Sequence, residues 1–105
     1  WLGAVPTASL LVGDKMLLYG NDYYRATAVR FTASGAVDAT FGDNGSGRYW
    51  WEMGANTDAT IESACQDSAG RLYFYGTRWA SNGQVAFISR VKANGTPDSS
   101  FNQWG

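Results

Sequence analysis

Acid–base and nucleophilic chemistry need particular side chains, and this chain is short of them. Its 105 residues contain no His and one Cys. Without His, no Ser-His-Asp or Cys-His arrangement can be assembled. One thiol without an imidazole cannot build a conventional zinc site. Glu52 and Glu62 are the only glutamates, and the nine carboxylates are scattered among turns. They offer no specific pair of the kind that glycoside hydrolysis uses. The stretch "GDNGSG" at 42–47 is not followed by the helix of a phosphate cradle or by the terminal Glu of a calcium loop. It reads as a turn before a strand. The expectation is a non-enzyme with no cofactor and no bound metal.

The polar residues that do recur at fixed spacing are Arg and Asp. Positions 30–41 read "RFTASGAVDATF" and positions 90–101 read "RVKANGTPDSSF". The shared frame is Arg30, Gly35, Asp38 and Phe41, then Arg90, Gly95, Asp98 and Phe101. Gly35 and Gly95 follow Ser34 and Asn94 and suit a left-handed turn position. Asp38 and Asp98 suit Asx-type turns that accept the next backbone N–H groups. Each Arg is expected to reach its own Asp across the turn, and each Phe to plug a sheet interface. The expected role is structural. A buried pair of this kind costs about 3–5 kcal/mol to break from one side.

Aromatic residues supply the sharper binding candidates. At an offset of 56, Tyr23 aligns with Trp79 and Asp22 with Arg78. Both pairs fall in the same hairpin of their unit. An exposed ring beside a polar side chain can stack on a sugar and bond its hydroxyls, and a repeated site gains from multivalency. The alternative is that these rings pack between sheets. In "RYWW" (48–51) alternation sets Trp50 and Trp51 on opposite faces.

The elements that must position these residues are strands. "KMLLYG" (15–20) pairs with "RLYFYG" (71–76) at offset 56, and the Arg frame repeats at offset 60. An insertion of four residues around "SNGQ" accounts for the difference, and Asn82-Gly83 is a hairpin-turn signal. Carried backwards, the 56 offset aligns Val5 with Ile61 and Ala8 with Ala64. The chain therefore reads as one repeat module over 1–105, with unit one about 1–53 and unit two about 54–105. Strands are expected near 5–12, 15–19, 25–31 and 48–53, then near 60–66, 71–75 and 84–91. No stretch carries a capped helical period. "RATAVRF" and "QVAFISRV" are apolar on both alternating faces, the pattern of strands covered on both sides. The fold class this predicts is all-β: two four-stranded antiparallel propeller-type blades, part of a larger propeller or of an oligomeric ring. A β-sandwich of two similar halves is the alternative.

Composition agrees. Apolar residues are 45% and charged residues 16%, outside the range of disordered chains. A net charge of −1 gives no basic surface for nucleic acid. Runs such as "MLLY" and "VAFI" are too short to insert in a bilayer as helices. Cys65 has no intrachain disulfide partner and reads as a small buried hydrophobe. "NGS" (44–46) and "NGT" (94–96) match glycosylation sequons, but turn formation explains both. The start "WLGAV" resembles "WEMGA" (51–55), as though the first strand supplies what unit two lacks. With Trp1 in place of Met, the chain reads as a processed or excised piece, or as one subunit of a ring.

The repeated frame resembles the delta-60 repeat family of bacterial proteins, whose pattern runs approximately as an Arg-bearing strand, an Asp-Gly turn, then Asp-x-x-Phe-Gly-x-x-Gly. "RFTASGAVDATFGDNG" matches well, and "RVKANGTPDSSFNQWG" departs at Asn102. Ser34 and Asn94 stand where the turn Asp is usual. The resemblance covers essentially the whole chain. It implies propeller-like repeats in exported or surface bacterial proteins, and no particular chemistry. The expected function is a non-catalytic propeller module serving as scaffold or protein-binding surface. The alternative is a carbohydrate-binding, lectin-like propeller using Tyr23, Trp79, Asp22 and Arg78. The partner is thus a protein or a glycan, with a homo-oligomer or the remainder of a longer repeat chain as the assembly.

Overall fold

The computed structural model describes residues 4–22, 25–42, 46–51, 59–81 and 83–101. All elements among them are strands, in two antiparallel sheets. Sheet one holds β1 (Ala4–Val12), β2 (Lys15–Asp22), β3 (Arg25–Phe31) and β4 (Arg48–Trp51), in that order. Sheet two holds β5 (Ala59–Gln66), β6 (Leu72–Ala80) and β7 (Gly83–Val91), in that order. Each is a meander, as in a propeller blade. Among the described residues the first blade has the expected four strands and the second has three.

Both sheets carry the same irregularity. The register of β1 on β2 shifts between Pro6 and Ala8, opposite Gly20 and Tyr19. That of β5 on β6 shifts between Ile61 and Ser63, opposite Gly76 and Tyr75. A bulge bends one strand and raises local twist. At Gly76 a Cβ would lie 2.8 Å from the Phe87 ring and against the Thr60 carbonyl, so the bulge closes only over glycine. The pairing also corrects one alignment. Leu11 faces Met16 and Gln66 faces Leu72, so first strands are related by 55 residues and second strands by 56. The longer turn at 67–71 absorbs the difference, and Val5 corresponds to Thr60 rather than to Ile61.

The sheets stack face to face. Residues opposite one another in an antiparallel ladder share a face. Leu17, Tyr19, Ala26 and Ala28 lie on one face of sheet one and are buried. Leu72, Phe74, Phe87 and Val91 lie on one face of sheet two and are buried with them in a single core. Tyr19 meets Phe74 edge-on at 6.3 Å between ring centroids, a favoured aromatic geometry. These two faces are not equivalent. The buried face of sheet two contains Leu72 and Phe74, which align with Met16 and Leu18 and so match the other face of sheet one. The stacking is head-to-tail.

Candidate interaction surface

The corner after β3 is built by the repeated frame. Phe31 and Val37 bridge across the turn, and Thr32 N–H donates to the Ala36 carbonyl. This brings Arg30 Nε to Asp38 Oδ2 at 2.9 Å, with both residues buried. Asp38 Oδ1 accepts from Thr40 N–H at 3.0 Å and Thr40 Oγ1 at 2.6 Å, while Lys15 Nζ lies 3.0 Å from Oδ2. These donors, led by the Thr40 hydroxyl, outweigh burial and hold the Asp38 carboxyl well below its usual range. Arg30 also stacks over Phe41, 4.6 Å from the ring centroid.

The second corner repeats the pattern with one substitution. Arg90 Nε donates to Asp98 Oδ2 at 2.7 Å, and Ser100 takes the place of Thr40, its hydroxyl 2.6 Å from Asp98 Oδ1. The Ser100 hydroxyl is the main reason the Asp98 pKa falls to about 2. The hydroxyl position is readable in "DATF" and "DSSF", where only the third residue is Thr or Ser in both, although the repeated frame of Arg, Gly, Asp and Phe does not include it. Tyr73 enters here as well. Its hydroxyl donates to Asp67 Oδ2 at 3.1 Å and accepts from Arg90 Nη1 at 3.4 Å. Burial pushes the Asp67 carboxyl up, but bonds from the Arg71 backbone and guanidinium, and from Tyr73, bring it below its usual range.

The two corners dock on one another. Arg30 Nη1 donates to the Ala93 carbonyl at 2.9 Å, and Gly42 N–H donates to the Asn94 carbonyl at 2.8 Å. Gly95, at φ +82°, lies against the Phe41 ring so closely that a Cβ would sit 2.7 Å from it. Phe41 is fully buried, as expected of a plug, whereas Phe101 is half-buried.

Beyond this junction one face of sheet two stands open. Tyr75, Trp79, Val85 and Ile88 are exposed. The register sets Tyr75, Trp79 and Ile88 on the same side, opposite to the buried core face. β7 was expected to be covered on both faces; it is covered on one, because no sheet lies on its other side among the described residues. β3 is covered throughout its middle. Cys65, expected to be buried, is exposed near this open face. A shallow apolar groove there is lined by Tyr75, Ala86, Phe87 and Ile88.

The aromatic binding candidates are only partly brought together. Tyr23 and the side chain of Asp22 lie outside the described residues. Trp79 is exposed, but Arg78 precedes it directly in β6 and so points to the opposite face. One ligand cannot stack on Trp79 and reach Arg78 from the same side. Trp50 is flanked by the guanidinium carbons of Arg25 and Arg48, 4.7 and 5.4 Å from its centroid. Among the described residues no three His, Cys, Asp or Glu side chains are grouped to hold a metal.

No curated protein and no solved structure matches the chain. Residues 70–101, from the turn before β6 to the second corner, match the model of a family described as a domain of unknown function (DUF5122) β-propeller. That segment holds Arg90, Gly95, Asp98 and Phe101, so the similarity falls on a sheet hairpin and its Arg–Asp corner, and it supports a propeller-type repeat.

Proposed function

We propose that the chain is a non-catalytic β-propeller module that acts as a scaffold or protein-binding surface. The resemblance to the delta-60 repeats is the support for placing it in an exported or surface bacterial protein. The observation that carries the reading is the open face of sheet two, where Tyr75, Trp79 and Ile88 project from one side of β6 and β7. Large apolar side chains grouped on a rigid sheet are typical of protein contact surfaces. The polar side chains of the corners are engaged in holding the turns, which leaves the binding work to the apolar face.

A carbohydrate-binding module is the competing reading, with Trp79 as its stacking ring. A glycan array on the folded chain separates the two. Silence across the array is the expected result. Sugar-dependent binding that disappears in Trp79→Ala, with folding retained, would replace the protein-binding reading by the lectin one.

A further inference from the structure

β3 and β7 occupy the same place in their sheets, but only β3 has a strand on its outer side. β4 pairs with β3 from Ala26↔Trp51 to Val29↔Arg48, and Arg30 N–H donates to the Gly47 carbonyl at 2.9 Å beside that ladder. Among the described residues no strand follows β7, and no backbone carbonyl takes the equivalent place at Arg90. The second corner fixes which way the backbone of β7 faces. Asp98 N–H donates to the Arg90 carbonyl and Lys92 N–H to the Thr96 carbonyl, so Arg90 and Lys92 face outward while Val91 faces β6. Backbone groups alternate along an antiparallel strand, which turns those of Ile88 and Ala86 outward as well.

Proteins usually guard a free strand edge with charge, Pro or a bulge. This edge has none of them. Residues 83–89 read "GQVAFIS", without charge or Pro, and β7 pairs with β6 from Gly83 to Val91 with no register shift. The free stretch is short, because Pro97 bridges Val91 on the same edge. From this we infer that the outer edge of β7 takes a short extended segment of a partner protein as an added strand, paired antiparallel as β4 is on β3. The segment carries an aromatic side chain opposite Ile88. On β3 that place belongs to Tyr49, which lies opposite Ala28 and is buried. Cross-strand partners share a face, so the incoming ring lies beside Ile88 in the apolar groove lined by Tyr75, Ala86, Phe87 and Ile88. Main-chain bonds supply the affinity and the groove supplies the specificity. The inference rests on the protein-binding reading and names the form of the partner.

The test is amide hydrogen exchange of the folded chain, followed by nuclear magnetic resonance, with and without a capped synthetic peptide SGRYWW, the sequence of residues 46–51. Without peptide, the Phe87 and Ser89 amides are protected and those of Ile88 and Arg90 exchange fast. Millimolar peptide protects Ile88 and Arg90. A peptide N-methylated at its Tyr keeps the ring but loses the N–H that meets the Ile88 carbonyl, and binds about tenfold or more weakly. Ile88→Pro removes only an outward N–H, which an edge strand tolerates, and gives the same loss in a chain that still folds. Ile88 and Arg90 amides that stay unprotected at millimolar peptide overturn the inference. So does protection already present without peptide, whether from the chain itself or from a second copy, which light scattering tells apart. Equal binding of the N-methylated peptide overturns it too, since the ring alone would then account for the contact. Failure here with a silent glycan array removes this inference alone, whereas a positive array removes the protein-binding reading itself.

Discussion

Replacing Arg30 by Ala tests the corner most severely. Four contacts are lost: Nε to Asp38 at 2.9 Å, Nη1 to the Ala93 carbonyl at 2.9 Å, Nη2 to the Thr40 hydroxyl at 3.4 Å, and the stack over Phe41. Breaking a buried ion pair from one side costs about 3–5 kcal/mol, because a charge is left without a partner. Here the loss is moderated. Asp38 keeps Lys15 Nζ at 3.0 Å and both Thr40 donors, and Ala93 is exposed, so water can take up its carbonyl. The low end, about 3 kcal/mol, is therefore expected. At about 4 °C per kcal/mol for a domain of this size, Tm falls by about 12 °C. Urea unfolding followed by circular dichroism, at one fixed chain concentration, gives the free energy directly. Lys15→Ala alone costs about 1 kcal/mol or less, as its side chain is partly in solvent. The double variant costs more than the two singles together, because it strips both cations from Asp38. An Arg30→Ala chain within about 0.5 kcal/mol of the parent, the range of ordinary surface changes, would refute the view that this pair secures the corner.

Other consequences separate the two halves of the molecule. Phe41→Ala empties a fully buried site and costs about 3–5 kcal/mol, whereas Phe101→Ala, at a half-buried ring, lowers the urea midpoint far less. Gly76→Ala forces a methyl against the Phe87 ring and the Thr60 carbonyl, and the same urea assay is expected to show a loss of about 1–3 kcal/mol. Acid stability follows from the corner aspartates. Asp98 titrates at about 2 in the folded chain against 3.8 for a free side chain, and Asp38 is shifted the same way. A lowered folded pKa contributes stability above the unfolded value and loses it as pH falls through the folded one. Tm is therefore level above about pH 5 and declines between about pH 4 and 2. Ser100→Ala raises the Asp98 pKa towards its free value and weakens the acid-sensitive part of that stability.

Local pattern carried the architecture, and contact between distant residues carried what the pattern could not reach. The two repeated halves, with apolar residues between turn signals, marked all seven strands, with β2 and β6 running past the repeated Gly-containing ends at Gly20 and Gly76. The Arg and Asp of each corner were legible because they lie eight residues apart on either side of one turn. The seating of Gly95 on Phe41 was not, since glycine supplies a turn equally well with or without a ring above it. The one-residue difference between first and second strands was hidden by a turn whose length changes between copies. The apolar run of β7 looked like a strand covered on both sides because sequence records which face can be covered, not whether a neighbour is present. Cys65 is exposed where burial was expected for a related reason, as burial of a small apolar side chain depends on which sheet lies over it. The Trp79–Arg78 pairing failed on strand alternation, which places adjacent residues on opposite faces however well their chemistry is matched.

The account depends on one sheet's corner capping the other, and the Gly95 α protons report on that contact directly. Nuclear Overhauser spectra of the folded chain should show strong cross-peaks between those protons and the Phe41 ring, with the Gly95 signals displaced upfield by the ring current. Gly95 α protons at ordinary turn shifts, with no cross-peak to Phe41 in a folded sample, would contradict the stacking of the two sheets.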